Sequence, residues 1–527
     1  MQMKPTRPRA HTRQEGDKYG REEILTPTPQ RHYLGFIDAR LWPATAGAWA
    51  VAYLATVHPG QPTTTLVVAM LVAAGATCLA GAALGRGRNK HSPRHRRYPA
   101  GKARAALVIV AAVVAATGVS AMIQTHLWAA SPLNQNCATT CELTVSVKSQ
   151  SRSTGTKWRT RTQVENVPGM RASEVTLITA RPLPNTWGEI LKVEGTLVAR
   201  ASPPHLGTMR NPDIRPLPAG QNRAGQPQWA RHLRHNWSQY LQLNAPPSAG
   251  LLLGMSVGDT ALLPTAQRDH MRATSTSHLV AISGTHLALV VATVHLLIPG
   301  RGRTKAGIIL AALLAMVILT GASASIIRAS TMAALVTVAA QLGRRGQGLT
   351  TLAVVISTWL IIDPWLARSW GFALSSAATA GVLTALTAAP PRGQSSLARR
   401  ARRKVADLAL IAFFAQAFTA PLVYQMVGTA SIWAVPANLL AAPAVAVTTL
   451  GALAGMAAAS YTPALVDLPV MVASAGGRWI ETVTGNLAQL PGANLQGVAA
   501  GCAVALNLAL AAALIYWRGR GGRERAR

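Results

Sequence analysis

Apolar residues recur along this chain in runs of about 20, the length that crosses a bilayer as a helix, and polar or basic connectors separate them. The runs predict transmembrane helices near 41–57, 64–85 and 105–130, and again near 279–299, 306–324, 328–343, 348–363, 371–389, 405–424, 431–457 and 496–517. Residues 458–495, with "PALVDLPVMVASAGGRWI", hold either one more crossing or a helix lying at the outer surface. Between the third and fourth runs the rhythm changes. Within 131–245, "ELTVSVKS", "EVTLITA" and "ILKVEGTLVA" alternate with period two between Gly and Pro, as half-buried strands do. The expected fold is a polytopic α-helical membrane protein of about 11–12 transmembrane helices, with a small extracytoplasmic β-domain inserted after the third.

Composition supports a membrane class: half of the 527 residues are hydrophobic and 13% are charged. The net charge of +33 would suggest a nucleic-acid partner in a soluble protein. In a membrane protein much of it records topology, because cytoplasmic loops collect Lys and Arg. The segment 86–104 carries eight Lys or Arg and no acid, which marks it as cytoplasmic. "RGRTK" (301–305), "RR" (344–345), "RGQSSLARRARRK" (392–404) and "RGRGGRERAR" (518–527) mark the same side. Residues 1–40 lack apolar periodicity and any signal-peptide pattern, and read as a disordered cytoplasmic tail. The organisation expected is this tail, three N-terminal helices over 41–130, the β-domain over 131–245, a helical domain over 246–517 and a basic cytoplasmic tail over 518–527. Such a chain lies in the cell membrane, in contact with lipid, with its N-terminus inside. Cys137 and Cys141 stand at the entrance of the β-domain, where an oxidising exterior permits a disulfide, or they are two free thiols.

Polar residues interrupt the apolar half. "HLVAISGTHLALVV" (278–291) places His278, Ser283, Gly284, Thr285 and His286 among Leu, Val, Ala and Ile. Arg328, Asp363, Gln416 and Asn438 stand in or beside later runs, and Pro421 and Pro443 interrupt two of them. Either these groups hydrogen-bond neighbouring helices and hold the bundle together, or they line a wet passage for a polar substrate. His278 and His286 are eight apart, about 80° around a helix; with Gly284 kinking the segment they could converge on one ion, but no metal, cofactor or catalytic role is expected of them. A membrane-embedded hydrolase using His278, Ser283 and His286 is the enzymatic alternative. No phosphate-cradling ATPase loop, serine-hydrolase elbow or His-Glu-x-x-His pair occurs in the sequence.

These residues, in this order, resemble the ComEC family of competence proteins, inner-membrane channels for DNA uptake. The likeness rests on Leu252 to Gly254, on His278, Leu279, Ala281, Ile282, Ser283, Gly284 and His286, and on "SIIRASTMA" (325–333). It continues through "DP" (363–364), "GFALSSAA" (371–378) and "PANLLAAPAV" (436–445). Two positions depart from the family pattern: Ser275 stands where the family has Gly, and Ala373 where it has Gln. The resemblance implies an OB-like outer module, in which Lys148, Arg152, Lys157, Trp158, Arg159 and Arg161 either supply a groove for single strands or form a solvated strand face. It implies ATP-independent passage of single-stranded DNA into the cytoplasm during natural transformation. A DNA receptor and a cytoplasmic ATPase are its expected partners. Many relatives also carry a metallo-β-lactamase-like domain; its His-x-His-x-Asp-His cluster does not occur among the thirteen histidines here, so a separate nuclease is expected. A transporter of another envelope polymer or small solute is the remaining alternative.

Overall fold

The computed structural model describes residues 41–57, 100–131, 141–165, 173–183, 187–198, 205–216, 226–300, 302–321, 323–342, 348–388 and 397–524. The expected tail 1–40, the span 64–85, most of the basic loop 86–104 and Cys137 lie outside them. Two helices come first, α1 (Trp42–Val57) and α2 (Ala100–Ala129). Eight strands follow: β1 (Cys141–Val147), β2 (Arg152–Thr154), β3 (Lys157–Val164), β4 (Glu174–Thr179), β5 (Ile190–Gly195), β6 (Leu197–Val198), β7 (His205–Arg210) and β8 (Asp213–Pro216). The rest is helical: α3 (Gln228–Asn244), α4 (Ala249–Val257), α5 (Thr265–Ala273), α6 (Gly284–Leu297), α7 (Arg303–Thr320), α8 (Ala324–Gln341) and α9 (Gly348–Ile362). After these come α10 (Trp370–Ala388), α11 (Leu397–Val427), α12 (Ala434–Tyr461), α13 (Asp467–Ala488) and α14 (Gly497–Glu524).

Among the described residues, six helical stretches are long and apolar enough to cross a membrane: Val108–Ala129, Arg303–Thr320, Ala324–Gln341, Arg402–Val427, Ala434–Tyr461 and Gly497–Trp517. Their outward side chains, such as Leu314, Leu506 and Val498, are exposed apolar groups of the kind that lipid covers. The chain is therefore a multi-pass membrane protein with an inserted β-domain. Fewer long spans appear than the apolar runs suggest. Gly284–Leu297, Gly348–Ile362 and Trp370–Leu386 are shorter helices, cut by Gly, Asp and Pro at their ends. The segment 458–495 forms a 3-10 turn at Pro463–Leu465 and then α13, which is not among the six. Small residues let α13 lie close along α12: a Cβ on Gly451 would sit 3.0 Å from the Ala473 Cβ, and one on Gly476 would overlap the Thr448 hydroxyl. Pro421 and Pro443 do not interrupt their helices as expected; both lie inside continuous ones. At Pro443 the Trp479 indole N–H reaches across to the Leu440 carbonyl (2.8 Å), so backbone near the proline finds a donor from a neighbouring helix.

The β-domain closes on itself. β3 pairs antiparallel with β1 and β4, and β4 pairs parallel with β7. β5 and β6 are separated only by Thr196; β5 pairs antiparallel with β1, and β6 with β7. That one bent segment joins β1 to β7, so that β1, β3, β4, β5–β6 and β7 form a partly open, five-membered barrel with the topology of an OB-fold, while β2 pairs outside it on β3 and β8 on β5. Its interior holds Leu143, Val145, Val164, Val175, Leu177, Leu191, Val193, Leu206 and Met209. Two tryptophans from the helical part complete that core, Trp128 at the end of α2 and Trp365 in the 3-10 turn Pro364–Arg368.

A buried ion pair ties barrel to bundle. Arg234 of α3 lies 4.0 Å from the Asp259 carboxylate, both almost fully buried. Its guanidinium donates to the carbonyls of Val257 and Leu319, each at 2.9 Å, and stacks 4.0 Å from the Trp187 ring. Asp259 accepts from the backbone N–H of Gln150 (3.0 Å) in the barrel and of Ala261 (2.9 Å). Burial lowers the Arg234 pKa to about 10, against the opposing pull of Asp259, so it stays charged at neutral pH.

Between α5 and α6 the chain is not regular helix. Thr274 and Thr276 share a hydroxyl–hydroxyl bond (2.9 Å), and Ser277–Leu279 form a 3-10 turn. Ser275 sits at φ 55°, the left-handed region, which explains physically why glycine suits this position. Ser275→Gly should raise stability by about 0.5–1 kcal/mol, the relief of left-handed strain less the added chain entropy of glycine, read as a higher denaturation midpoint of the full-length protein in detergent. By the same measurement, Asp259→Ala should cost about 3–5 kcal/mol because it strands a buried guanidinium, whereas Arg234→Met with Asp259→Leu should cost less. A double variant as unstable as the single one would contradict this account of the pair.

Candidate functional site

The signature segment owes its place to Gly254 on α4. A Cβ there would stand 3.1 Å from the Val280 Cβ, tighter than ordinary contact, so glycine favours the close packing of residues 278–282 on α4. Expected as the first turn of a helix over 279–299, these residues are irregular backbone, and α6 begins only at Gly284. Gly284 therefore opens the helix instead of weakening its middle. Ser283, extended at φ −127° and ψ 178°, is the N-cap. Its N–H donates to His286 Nδ1 (3.1 Å), and its hydroxyl lies 3.3 Å from the same nitrogen. The imidazole thus takes the part that Glu or Gln plays in a capping box. Since Nδ1 accepts, neutral His286 carries its proton on Nε2, which is buried without a partner. Thr285 is exposed.

This is the geometry of a helix cap, not of a nucleophile and its base. The nitrogen nearest the Ser283 hydroxyl is already engaged by a backbone donor, and no carboxylate among the described residues orients the other. Nor do the described residues hold three metal-ligating side chains together.

Other motif residues gather around this cap. His278 makes an Nδ1 contact of 3.2 Å with the Ser275 carbonyl, and its side chain lies beside Asn438 of α12. Asn438 also donates to the Ala434 carbonyl at 2.8 Å. Where Gly284 starts α6, it faces Ala329 of α8, whose Cβ would lie 3.6 Å from an added methyl. The preceding residue, Arg328, donates to Ser375 Oγ of α10 (2.5 Å), and Ser375 bonds Ser325 (2.9 Å). The segments of four separated motifs thus meet in sequence: 275–286 with 434–445, 275–286 with 325–333, and 325–333 with 371–378.

Asp363 and Gln416 stand apart from that chain of contacts. Asp363 caps the 3-10 turn by accepting from the Trp365 N–H (3.1 Å), and helices α1 and α2 hold the same corner. Trp49 donates to Ala367 (3.2 Å), Arg368 to Thr56 (3.1 Å) and Gln124 to Ile362 (2.8 Å). Gln416 is half-buried within α11.

On the barrel, period-two alternation sorts the expected nucleic-acid residues. Lys157, Arg159 and Arg161 are exposed on one face of β3, and Arg152 lies directly across from Arg159. Two arginines opposed on neighbouring strands repel, a cost that a polyanion would remove. Trp158 falls on the opposite, inward side of β3 and is half-buried. Lys148 also turns inward; burial lowers its pKa despite nearby Glu165. The sequence reading missed Arg272. Burial lowers the Arg152 pKa and the Arg272 and Arg159 charges lower it further, against the opposing pull of Asp269, which pairs with Arg272 at 3.3 Å; Arg152 is thus within electrostatic range of α5. The run "QRDHMRA" just before the signature carried that signal. Cys141 of β1 is disulfide-bonded, while its expected partner Cys137 is outside the described residues; Cys502 is a free, exposed thiol.

Comparison with known proteins agrees with this geometry. The chain is 26% identical over 215 residues to ComE operon protein 3 of Bacillus subtilis (strain 168), a match covering 40% of this chain and 26% of that relative. The match spans only about a quarter of the relative's length. No solved structure matches. A family model described as Competence protein matches residues 255–520, half of the sequence, and the chain belongs to that family.

Proposed function

We propose that this protein conducts single-stranded DNA through the cell membrane into the cytoplasm during natural transformation, without hydrolysing ATP itself. The observation that carries the reading is the run of cations from the barrel to the signature segment. Lys157, Arg159 and Arg161 present a strip on β3, Arg152 continues it, and Arg272, ion-paired with Asp269, extends it toward the signature segment within electrostatic range of Arg152. A strand held by its phosphates on the barrel is thereby delivered to the mouth of the helical part. The basic connectors support an N-terminus inside and a barrel outside by the positive-inside rule; on that reading the strip faces arriving DNA. A receptor that hands DNA to the barrel, a cytoplasmic ATPase that draws it inward and a separate nuclease for the other strand complete the machinery we envisage.

The test uses full-length protein in zwitterionic lipid nanodiscs and a fluorescent oligothymidylate. Replacing Lys157, Arg159 and Arg161 with Gln should weaken binding and make it less salt-sensitive. Losing three phosphate contacts should reduce the slope of log K against log salt by about 2. An unchanged slope would reject the strip as the DNA-receiving surface. Deleting the gene in a transformable host should abolish uptake of labelled DNA; undiminished uptake would reject the function.

A further inference from the structure

Arg328 is a buried cation without a counter-ion. Its side chain is 3% exposed, and no carboxylate among the described residues pairs with it. A guanidinium has five N–H donors. One terminal nitrogen bonds Ser375 Oγ at 2.5 Å, the other meets only the Met332 sulfur at 3.3 Å, and the Nε–H is buried with no acceptor. Next to Ser375, the Ser376 hydroxyl is also buried and unpartnered. Such a site is costly: a buried charge needs either an opposite charge or a full set of acceptors. Arg234, equally buried in the same chain, has Asp259, two carbonyls and an aromatic face. Arg328 has an incomplete set, consisting of donors in search of oxygen.

We infer that Arg328, with the hydroxyls of Ser325 and Ser375, is an oxyanion site that takes one phosphodiester group between α8 and α10. A phosphodiester carries one negative charge, which one guanidinium balances, and two free oxygens, which match its fork. The serine hydroxyls rotate to donate to the same oxygens. α8 and α10 touch here through the Ser325 and Ser375 hydroxyls, and admitting the group requires them to part at that point. The assignment deepens the DNA-conducting reading and rests on it for the source of the phosphodiester, since the headgroup of a phospholipid offers the same chemistry.

The experiment compares wild-type, Arg328→Gln, Arg328→Lys and Ser375→Ala full-length proteins in zwitterionic nanodiscs. The probes are oligothymidylate, its uncharged methylphosphonate counterpart and dimethyl phosphate. Arg328→Gln should bind the phosphodiester strand at least tenfold more weakly, Arg328→Lys should recover part of this and Ser375→Ala should lose several-fold. None should change binding of the uncharged strand. Dimethyl phosphate should raise the melting temperature of the wild type and leave that of Arg328→Gln unmoved. If the wild type binds strands and Arg328→Gln binds them equally well, the oxyanion site is wrong and the conduction reading stands. If no strand binds at all, that reading fails, and the dimethyl phosphate arm alone judges the site: no stabilisation overturns it. Stabilisation that appears only on adding anionic lipid assigns the group to a headgroup instead of DNA. Should Arg328→Gln not fold, the Lys and Ser375→Ala variants decide.

Discussion

A guanidinium enclosed by protein must find acceptors on every side, and Arg234 finds them by drawing four parts of the chain together. Asp259 and the Val257 carbonyl come from the end of α4, the Leu319 carbonyl from α7 and the Trp187 ring from the barrel. The same carboxylate takes the Gln150 N–H, so the barrel is held through backbone as well as through an aromatic face. Because each partner is buried, the arrangement leaves little freedom in the angle between barrel and bundle. The position of the β2–β3 hairpin relative to the helical part therefore depends on one desolvated charge and its partners.

The helical part obeys a second constraint, that backbone polar groups away from water need partners inside the protein. The irregular stretches satisfy it locally. Thr274 caps the carbonyl of His270 (2.9 Å), His286 takes the N–H of Ser283, and the corner at 362–368 receives donors from α1 and α2. Polar side chains in the apolar half therefore do two kinds of work. Ser283, His286 and Asp363 terminate helices. Arg328, with donors to spare, does not fit that description, and the difference between a cap and an unsatisfied cation separates scaffold from site.

Much of this was legible in the residues. Apolar runs marked the helices, period-two alternation marked the barrel strands, and the spacing of "HLVAISGTH" with "SIIRAS" marked the segments that meet. What could not be read were properties of backbone and neighbours. The polar residues between His278 and His286 interrupt an apolar run without saying by themselves that helix begins only at Gly284; the capping bond from Ser283 to an imidazole decides that. Pro421 and Pro443 look like breaks, yet α11 and α12 run through them as continuous helices. Asp259 and Arg234 lie in unremarked stretches, and their pairing is a fact of the tertiary fold. Trp158 was grouped with its basic neighbours by proximity along the chain, whereas alternation puts it on the other side of the strand.

The barrel also borrows part of its interior. Trp365 reaches its core from a turn that lies far beyond β8 in the chain, past α9. During synthesis the strands leave the ribosome well before this plug exists, and the module must wait, with a vacancy among its side chains, until later helices have been threaded into the bilayer. The barrel core is thus complete only when a helical turn from much later in the chain is in place: misplaced middle helices would leave that side of the barrel unfilled.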